Sequence, residues 1–299
     1  MENLRTPDAC FEDLVGWPFA PVYTQVGDLR IHHVDEGQAQ GELVVLMHGE
    51  PTWGYLYRNM IPGLAAAGYR VIVPDLVGFG RSDKPTQQSD YSFNQMVEWM
   101  SGWLVANDLH NITLFCQDWG GLIGLRLVAA HPDRFDRVVA SNTFLPDGDG
   151  KPSEAFLAWQ NFAANTPTFP VANIVQGGCK SRPLSNDVLA AYDAPFPDES
   201  YKAGPRVMPS LVPTSAEDPA AAANKLAWET LSQFTKPFGC AFADGDPITA
   251  GSDKAFQRRI PGTQGVVHTT IVDASHFVQE DQPDALVAYI NSFVAATPR

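Results

Sequence analysis

The sequence predicts an α/β protein whose mostly parallel sheet carries helices on both faces. Short apolar runs typical of buried strands alternate with longer segments of helical periodicity along most of the chain. Between residues 146 and 229 this alternation stops, prolines and aromatic residues become dense, and only short helical pieces are indicated. We therefore expect residues 1–145 and 230–299 to form one core, with residues 146–229 inserted as a helical cap.

The composition limits the class of protein and its partners. The chain has 299 residues and a hydrophobic content of 44%, which is enough for a substantial core. Its formal charge of −14 would repel nucleic acid and anionic membrane surfaces, so we expect neither as a partner. No apolar run approaches the ~20 residues of a membrane span, and the first residues lack the apolar core of a signal peptide. We expect a soluble, cytoplasmic monomer.

The cysteines give no sign of cross-links or of a metal site. Cys10, Cys116, Cys179 and Cys240 are scattered without any CxxC pair. Cys116 and Cys240 fall inside predicted buried strands, where a reduced cysteine behaves as a small apolar residue. We therefore expect no disulfide, no metal and no cofactor.

The predicted elements begin with a hairpin at a sheet edge. Two β-rich runs, residues 22–26 and 29–34, flank the turn residues Gly27 and Asp28. Residues 43–47 are a continuous apolar strand of the kind buried in a parallel sheet. Further strands are predicted at residues 69–73, 112–116, 137–142, 237–243 and 266–272, and helices at residues 93–109, 122–130, 153–164, 186–192 and 283–295.

Asp118 lies at the apex of a predicted strand, sharp turn and helix. The residues on either side of it, Cys116 and Gly120, are small, and small residues allow a strand and a helix to approach closely. This spacing is the nucleophile elbow of α/β hydrolases, with Asp118 in the position of the nucleophile. A second interpretation stays open, because Asp is also a favoured N-cap residue whose charge suits the positive end of a helix.

Two polar residues follow later strands in the order of a hydrolase triad. Asp246 follows the strand at residues 237–243 and His276 follows the one at residues 266–272, so the order is nucleophile, acid, base. In open α/β sheets, ligands bind beyond the carboxyl ends of the strands. We therefore expect Asp118, Asp246 and His276 to meet at that edge, with Asp244 as the competing acid.

A carboxylate nucleophile suits displacement at a saturated carbon, because it is anionic at neutral pH and needs no base before it attacks. The product would be an ester of Asp118, and hydrolysis of that ester needs a water activated by His276 and an oxyanion hole. The expected donors of the hole are the backbone N–H groups of Glu50 and Trp119. Asp246 would hold His276 in the useful tautomer.

Four motifs resemble those of the haloalkane dehalogenases: residues 48–53 (HGEPTW), 117–121 (QDWGG), 192–198 (YDAPFPD) and 275–280 (SHFVQE). The resemblance spans nearly the whole chain. It is greatest to the subfamily whose acid follows the later strand, which agrees with Asp246 and with the neutral Asn142 at the alternative position. It implies an α/β-hydrolase fold with an eight-stranded sheet, and a halogenated alkane and water as the small molecules that the protein binds.

The resemblance also implies a halide site. In that family two tryptophan indole N–H groups hold the departing halide, which would be Trp119 and, from the cap, Trp159. An indole donates a hydrogen bond and accepts none, so it binds an anion without adding a basic group. Trp159 could instead be a packing residue of a cap helix, and Trp103 or Trp228 could pack similarly.

The substrate pocket is expected near Trp159. Phe156 is the expected pocket residue, and together with Phe162 and Phe169 it suggests a tight apolar pocket for short substrates.

Two other functions stay open. Epoxide hydrolases resemble this sequence in fold, nucleophile and elbow, but they typically use a pair of cap tyrosines, for which Tyr192 and Tyr201 are available. Glu50 argues against them, because they usually carry an aromatic residue at that position. A ligand-binding protein without catalysis is the other alternative, and the fold alone does not exclude it.

Overall fold

The computed structural model describes residues 1–180 and 183–298. Its strands are β1 (Asn3–Leu4), β2 (Val22–Val26), β3 (Leu29–Gly37), β4 (Leu43–Met47), β5 (Arg70–Pro74), β6 (Lys84–Pro85), β7 (Ile112–Gln117), β8 (Phe135–Ser141), β9 (Phe238–Ala243) and β10 (Thr269–Ile271). Its α-helices are α1 (Ile61–Ala66), α2 (Phe93–Ala106), α3 (Trp119–Ala130), α4 (Glu154–Asn165), α5 (Val171–Gly177), α6 (Asn186–Asp193), α7 (Ala203–Leu211), α8 (Ala221–Leu231), α9 (Ser252–Arg259), α10 (Val278–Asp281) and α11 (Pro283–Ala296).

The main sheet has eight strands in the order β10-β9-β8-β7-β4-β5-β3-β2. The strands from β10 to β5 are parallel, while β3 pairs antiparallel with both β5 and β2. The predicted fold class is therefore confirmed, including the hairpin of β2 and β3 at one edge. The central strands β4 and β7 are buried along their whole length, which explains why β4 is continuously apolar and β7 is apolar except for Thr113 and Gln117.

The strand order reverses between β4 and β7. After β4 the chain adds β5 on one side, then returns to place β7, β8, β9 and β10 on the other side. In sheets of this kind the crevice at such a switch point, beyond the carboxyl ends of the strands, is where ligands bind. The Glu50 loop follows β4 and Asp118 follows β7, so both lie at this point.

The helices pack against one another in several sets. Helix α1 packs against α11, while α3 packs against both α2 and α8. Helices α4, α5, α6 and α7 lie in the segment between β8 and β9, where α4 packs against α7 and α5 packs against α6. None of the helices in the described part of the chain is both long and apolar enough to cross a membrane.

The last strand is shorter than its sequence suggests. Only residues 269–271 pair with β9, although the apolar run covers residues 266–272. Val267 and Val272, on either side of the paired segment, are 77% and 63% exposed. Because β10 is an edge strand with a neighbour on one side only, it lacks the second ladder that would extend it.

The division of the chain at residues 146 and 229 stays a prediction. Helix α8 runs across residue 229 and packs against α3 of the core. Within it, the Trp228 indole N–H donates to the carbonyl oxygen of Leu145 over 2.8 Å. Residues 181 and 182, which fall in the predicted cap, lie outside the described residues.

Candidate active site

The elbow holds Asp118 in a strained backbone conformation. Asp118 has φ 51° and ψ −129°, a region that residues with a side chain rarely occupy and that is concentrated at functional sites. It precedes α3, but its side chain forms no hydrogen bond with the helix N-terminus. The N-cap interpretation therefore does not account for this carboxylate. A Cβ at Gly49 would overlap Asp118 Oδ1, so the approach of the neighbouring loop requires glycine there.

The partners of Asp118 come from the loops that follow three other strands, β4, β8 and β10. Its Oδ1 accepts a hydrogen bond from the backbone N–H of Glu50 over 2.7 Å. Its Oδ2 lies 3.4 Å from His276 Nε2. Its backbone oxygen accepts from the hydroxyl of Thr143 over 2.8 Å, which helps to fix the strained turn.

His276 is joined to Asp246 on the other side of its ring, where Nδ1 lies 3.2 Å from Asp246 Oδ2. Asp246 Oδ1 accepts from the backbone N–H of Ile248 over 3.0 Å, and Oδ2 also accepts from the Thr249 hydroxyl. These bonds hold the carboxylate toward the ring. The structure thus brings Asp118, His276 and Asp246 into one line of contacts beyond the carboxyl ends of the strands.

The charges of this line support one another. Burial opposes the ionisation of Asp246, but the charge of His276 and the hydrogen bonds from His276 and Thr249 outweigh it and lower the pKa of Asp246 to about 2. Burial likewise favours neutral His276, but the charge of Asp246 and the contacts with Asp118 raise the pKa of His276 to about 10. At neutral pH the ring is therefore an imidazolium between two carboxylates.

The competing acid, Asp244, faces away from the imidazole. Its Oδ1 lies 3.1 Å from Lys180 Nζ and accepts from the backbone N–H of Ala274 over 3.3 Å. Its Oδ2 accepts from the backbone N–H of Asp273 over 3.2 Å. Asp244 therefore supports the loop that leads to His276, while Asp246 contacts the ring itself.

The Glu50 side chain is buried beside the nucleophile. Burial and the charge of Asp118 raise the pKa of the Glu50 carboxyl well above its usual range, although the charge of His276 opposes this. Within residues 1–180 and 183–298, its Oε1 has no hydrogen-bond partner. Its surroundings therefore favour the neutral carboxyl group, and the group of Glu50 that reaches Asp118 is the backbone N–H.

The tryptophans differ in whether their indole N–H is already bound. Trp103 donates to His33 Nδ1 over 3.3 Å and Trp228 donates to the oxygen of Leu145, so both serve the core. Among the described residues, no protein acceptor pairs with the indole N–H of Trp119 or Trp159. Both residues line the cleft in front of Asp118.

The cleft in front of Asp118 has a volume of about 900 Å³. Its walls come from the Glu50 loop, the elbow, the His276 loop and the helices between β8 and β9. Of the three expected phenylalanines, Phe156 lines it, whereas Phe162 is 41% exposed and Phe169 lies fully buried with its ring 6.0 Å from that of Trp159. The expected tight pocket of three phenylalanine rings is therefore not formed. Further apolar lining comes from Leu122, Phe144, Ile174, Pro209, Val212 and Ile248.

Three supporting residues were not assigned a role from the sequence. Gln117 and Asn142 both donate to the backbone oxygen of His276, over 3.1 and 3.0 Å. Thr249 donates to the carboxylate of Asp246. The turn after Asp246 could have been predicted from the sequence, because an Asp side chain commonly accepts a hydrogen bond from the backbone N–H two residues further along the chain. No local signal marks Gln117 or Asn142, because their partner is more than 100 residues away.

The strand order and the strand, turn and helix of the elbow define an α/β hydrolase. A family model described as alpha/beta hydrolase fold matches residues 42–178. A haloalkane dehalogenase of Psychrobacter cryohalolentis is 52% identical, with 100% of each chain covered. Haloalkane dehalogenase 1 of Mycobacterium tuberculosis is 51% identical over 99% of this chain and 100% of its own. This chain therefore belongs to the haloalkane dehalogenase family, as its motifs predict.

A solved structure gives the same relationship. The tetrameric haloalkane dehalogenase DpaA from Paraglaciecola agarilytica superposes with a TM-score of 0.90 and is 35% identical, over 99% of this chain and 98% of that chain. Haloalkane dehalogenase DbeA of Bradyrhizobium elkani superposes with a TM-score of 0.81 at 22% identity, over 93% of this chain and 98% of that chain, which shows the shared fold alone. The similarity to DpaA thus extends over nearly the whole chain.

Proposed function

We propose that this protein hydrolyses haloalkanes to an alcohol, a halide ion and a proton through a covalent ester on Asp118. The observation that carries the proposal is the position of the Asp118 carboxylate, between the Glu50 N–H and the imidazole of His276. Its side chain is 20% exposed, against 8% for His276 and 2% for Asp246. A substrate in the cleft therefore meets the nucleophile before it meets the base.

In the first step, an oxygen of Asp118 attacks the carbon that carries the halogen. The new carbon–oxygen bond forms as the carbon–halogen bond breaks, and the halide leaves with the bonding electrons. We assign the indole N–H groups of Trp119 and Trp159 to the departing halide, because both line the cleft and neither is used by a protein acceptor. Donors aimed at a developing anion in an apolar site lower the barrier of such a step.

In the second step, His276 removes a proton from a water that attacks the carboxyl carbon of the ester. The tetrahedral oxyanion is stabilised by the backbone N–H groups of Glu50 and Trp119. Collapse of this intermediate expels the alkoxide, which takes the proton from His276 and leaves as the alcohol. The carboxyl group of Asp118 then ionises, so that the reaction releases one proton in total.

The first step itself prepares the base for the second. In the free protein, Asp118 contributes to the high pKa of His276 through its charge and its contact with the ring. Esterification makes Asp118 neutral, so that this contribution is lost and the pKa of His276 falls. The imidazolium can then release its proton and act as a base, while Asp246 keeps Nδ1 protonated. When Asp118 ionises again at the end of the cycle, His276 takes up a proton and becomes an imidazolium again, so that one proton is released overall.

Epoxide hydrolysis is less well supported by the positions of the tyrosines. The hydroxyl of Tyr192 donates to Glu280, which also binds the guanidinium of Arg58. Neither Tyr192 nor Tyr201 is among the residues that line the cleft. A tyrosine pair that could protonate an opening epoxide is therefore not in contact with the substrate space.

Assembly, location and domain division belong to the proposal as well. We keep the expectation of a cytoplasmic monomer with a cap at residues 146–229, although the related DpaA is described as tetrameric. Sedimentation of the purified protein at micromolar concentration would decide the oligomeric state.

The experiment that tests the proposed reaction separates its two steps. His276→Phe keeps Asp118 able to displace one halide per molecule but removes the base, so we expect a stoichiometric halide burst without turnover. Intact mass spectrometry after incubation with a short bromoalkane should show the added alkyl group, and peptide mapping should place it on Asp118. The double variant Asp118→Ala with His276→Phe is the control and should stay unmodified. A folded His276→Phe protein without an adduct, or with the label elsewhere, would contradict the proposal.

A further inference from the structure

Gln117 is a fully buried polar side chain that lies against the base of the site. It is the last residue of β7 and directly precedes Asp118. Its Nε2 donates to the backbone oxygen of His276 over 3.1 Å and lies 3.3 Å from His276 Nε2, the nitrogen that faces Asp118. Its Oε1 has no hydrogen-bond donor among the described residues.

The orientation of this amide is determined by the backbone of His276. A flipped amide would place Oε1 against the His276 carbonyl oxygen, two acceptors with no proton between them. With Nε2 in that place, one N–H can donate to the carbonyl and the other is directed toward the ring nitrogen. The amide therefore presents a donor to His276 Nε2.

A donor at this position distinguishes between the two states of the ring. Neutral His276, with its Nδ1 proton shared with Asp246, has a lone pair on Nε2 that can accept the Gln117 N–H. The imidazolium has a proton on Nε2, so two N–H groups would face each other. The contact therefore stabilises the neutral ring, the form that can act as a base, until the attacking water replaces the Gln117 N–H at the single Nε2 lone pair.

We propose that Gln117 is a positioning residue for His276, which holds the loop by its carbonyl and favours the neutral imidazole during hydrolysis of the ester. This inference rests on the proposed function, because it concerns the second of its two steps. Gln117 acts through His276 and does not line the cleft.

The other charged groups that face the ring act in the opposite sense or are neutral. Asp246 and Asp118 both favour the imidazolium, and they approach Nδ1 and Nε2 respectively. Glu50 lies near the ring, where burial and the charge of Asp118 raise the pKa of its carboxyl group and the charge of His276 opposes this. In the ester the charge of Asp118 is gone. The pKa of His276 then depends on Asp246, which favours the charged ring, and on Gln117, which favours the neutral one.

The test replaces Gln117 by an apolar residue of similar size and follows the two steps separately over pH. In single turnovers with a bromoalkane, halide release reports the first step and alcohol formation reports hydrolysis of the ester. We expect Gln117→Leu to keep the full halide burst but to move the acid limb of the hydrolysis profile upward by about 0.5 to 1 pH unit, as for loss of one neutral hydrogen bond. On the acid side, hydrolysis should slow by about 3- to 10-fold.

Asn142→Ala provides the matched control. Asn142 donates to the same His276 carbonyl over 3.0 Å, but no contact between it and the ring nitrogen is present. A change that acts only by loosening the loop should lower the rate in this variant at every pH without moving the profile. An equal shift in Asn142→Ala, or an unshifted profile in Gln117→Leu, would overturn the inference.

Folding and the proposed reaction are checked in the same series. The His276 carbonyl keeps the Asn142 bond in Gln117→Leu, so we expect the variant to fold, and Gln117→Met should give the same shift. If Gln117→Leu does not fold, the same profile of Gln117→Met decides the inference. Absence of a halide burst in the unaltered protein would instead contradict the proposed function itself, so the two failures are distinguishable.

Discussion

The two sides of the cleft are held in place by different kinds of contact. On the core side, Asp118, Asp246 and His276 follow the parallel strands β7, β9 and β10, whose ladders determine where each strand ends. On the opposite side, which falls in the predicted cap and is called the cap side below, Phe156 and Trp159 belong to α4, in which Ala163 is the buried residue.

The cap side depends on side-chain packing. The ring of Trp159 packs against Phe162 at 5.8 Å and against Phe169 at 6.0 Å, and Gln160 donates to the oxygen of Pro209 over 2.8 Å. Sheet hydrogen bonds cannot shift without breaking, whereas side-chain packing adjusts to substitution. We infer that the core side determines the chemistry and the cap side adjusts which substrate and halide are accepted. Substitutions on the core side should therefore lower the rate of the reaction, whereas substitutions on the cap side should have smaller effects and change the preference for substrate and halide.

The largest effect is expected for the nucleophile on the core side. Asp118→Ala should lower turnover by about 10⁴-fold or more, because the carboxylate that forms the ester is removed. Its stability should change by about 1 kcal/mol, because the hydrogen bond from the Glu50 N–H is lost, whereas no bond to the helix N-terminus exists to lose. Halide release and urea unfolding measure the two quantities. Retained halide release in the folded variant would contradict the assignment.

The next effect separates the two neighbouring acids. Asp246→Asn should slow ester hydrolysis by about 10³- to 10⁴-fold, because an amide can no longer hold His276 in the useful tautomer. Asp244→Asn removes an ion pair with Lys180 and leaves the ring contact intact, so its activity should stay within a few-fold. Steady-state rates of both variants provide the comparison. Similar losses in the two would show that the loop, and not the ring contact, is decisive.

A smaller effect is expected for the halide donors, one from each side of the cleft. Trp119→Phe and Trp159→Phe should both weaken halide binding and slow carbon–halogen cleavage, by up to about 10²-fold. The loss should be larger for Trp119, which is 3% exposed, because water can replace the donor of the half-buried Trp159. Chloroalkanes should suffer most, because chloride is the poorest leaving group. An unchanged chloride-to-iodide rate ratio would count against the assignment of the variant concerned.

The smallest effect on activity is expected at Glu50, whose backbone and not its side chain contacts the nucleophile. The pKa of Glu50 is raised above its unfolded value of about 4.3, so its neutral form contributes stability that is complete below that pH and is lost as pH rises toward the folded pKa. Glu50→Gln has no carboxyl group to ionise, so its stability should not fall with pH for this reason, and it keeps the backbone N–H that contacts Asp118. Relative to the variant, the unaltered protein should lose up to about 1.4 kcal/mol per pH unit in that window.

Urea unfolding of both proteins from pH 5 to pH 8 measures this difference. Halide release should stay within a few-fold, because the N–H to Asp118 is retained. If the free energy of unfolding changes with pH in the same way in the unaltered protein and in Glu50→Gln, the Glu50 carboxyl is already ionised in the folded protein.

Much of the core could be predicted from the sequence because its signals are local. Residues 43–47 are apolar without interruption and residues 112–116 are apolar except for Thr113, because their strands are buried on both faces. The small residues around Asp118 are required by the close packing of the elbow, where a Cβ at Gly120 would overlap the backbone of Met47. The order of Asp118, Asp246 and His276 follows from the order of the strands that carry them.

The choice between neighbouring candidates was decided only by the tertiary structure. Asp244 and Asp246 are two residues apart with the same chemistry, and the direction of the backbone after β9 determines which one reaches the imidazole. Trp103, Trp159 and Trp228 are alike in sequence terms, but an acceptor from a distant element binds two of them.

The role of Gln117, on the core side of the cleft, also could not be predicted from the sequence. Its amide contacts a residue 159 positions away, through an approach of the His276 loop that no local pattern encodes. The sequence by itself therefore determined the fold class, the elbow and the set of candidate groups, because burial and turn geometry leave periodic and positional patterns. Which candidate contacts which was decided by packing between elements that are distant in the chain.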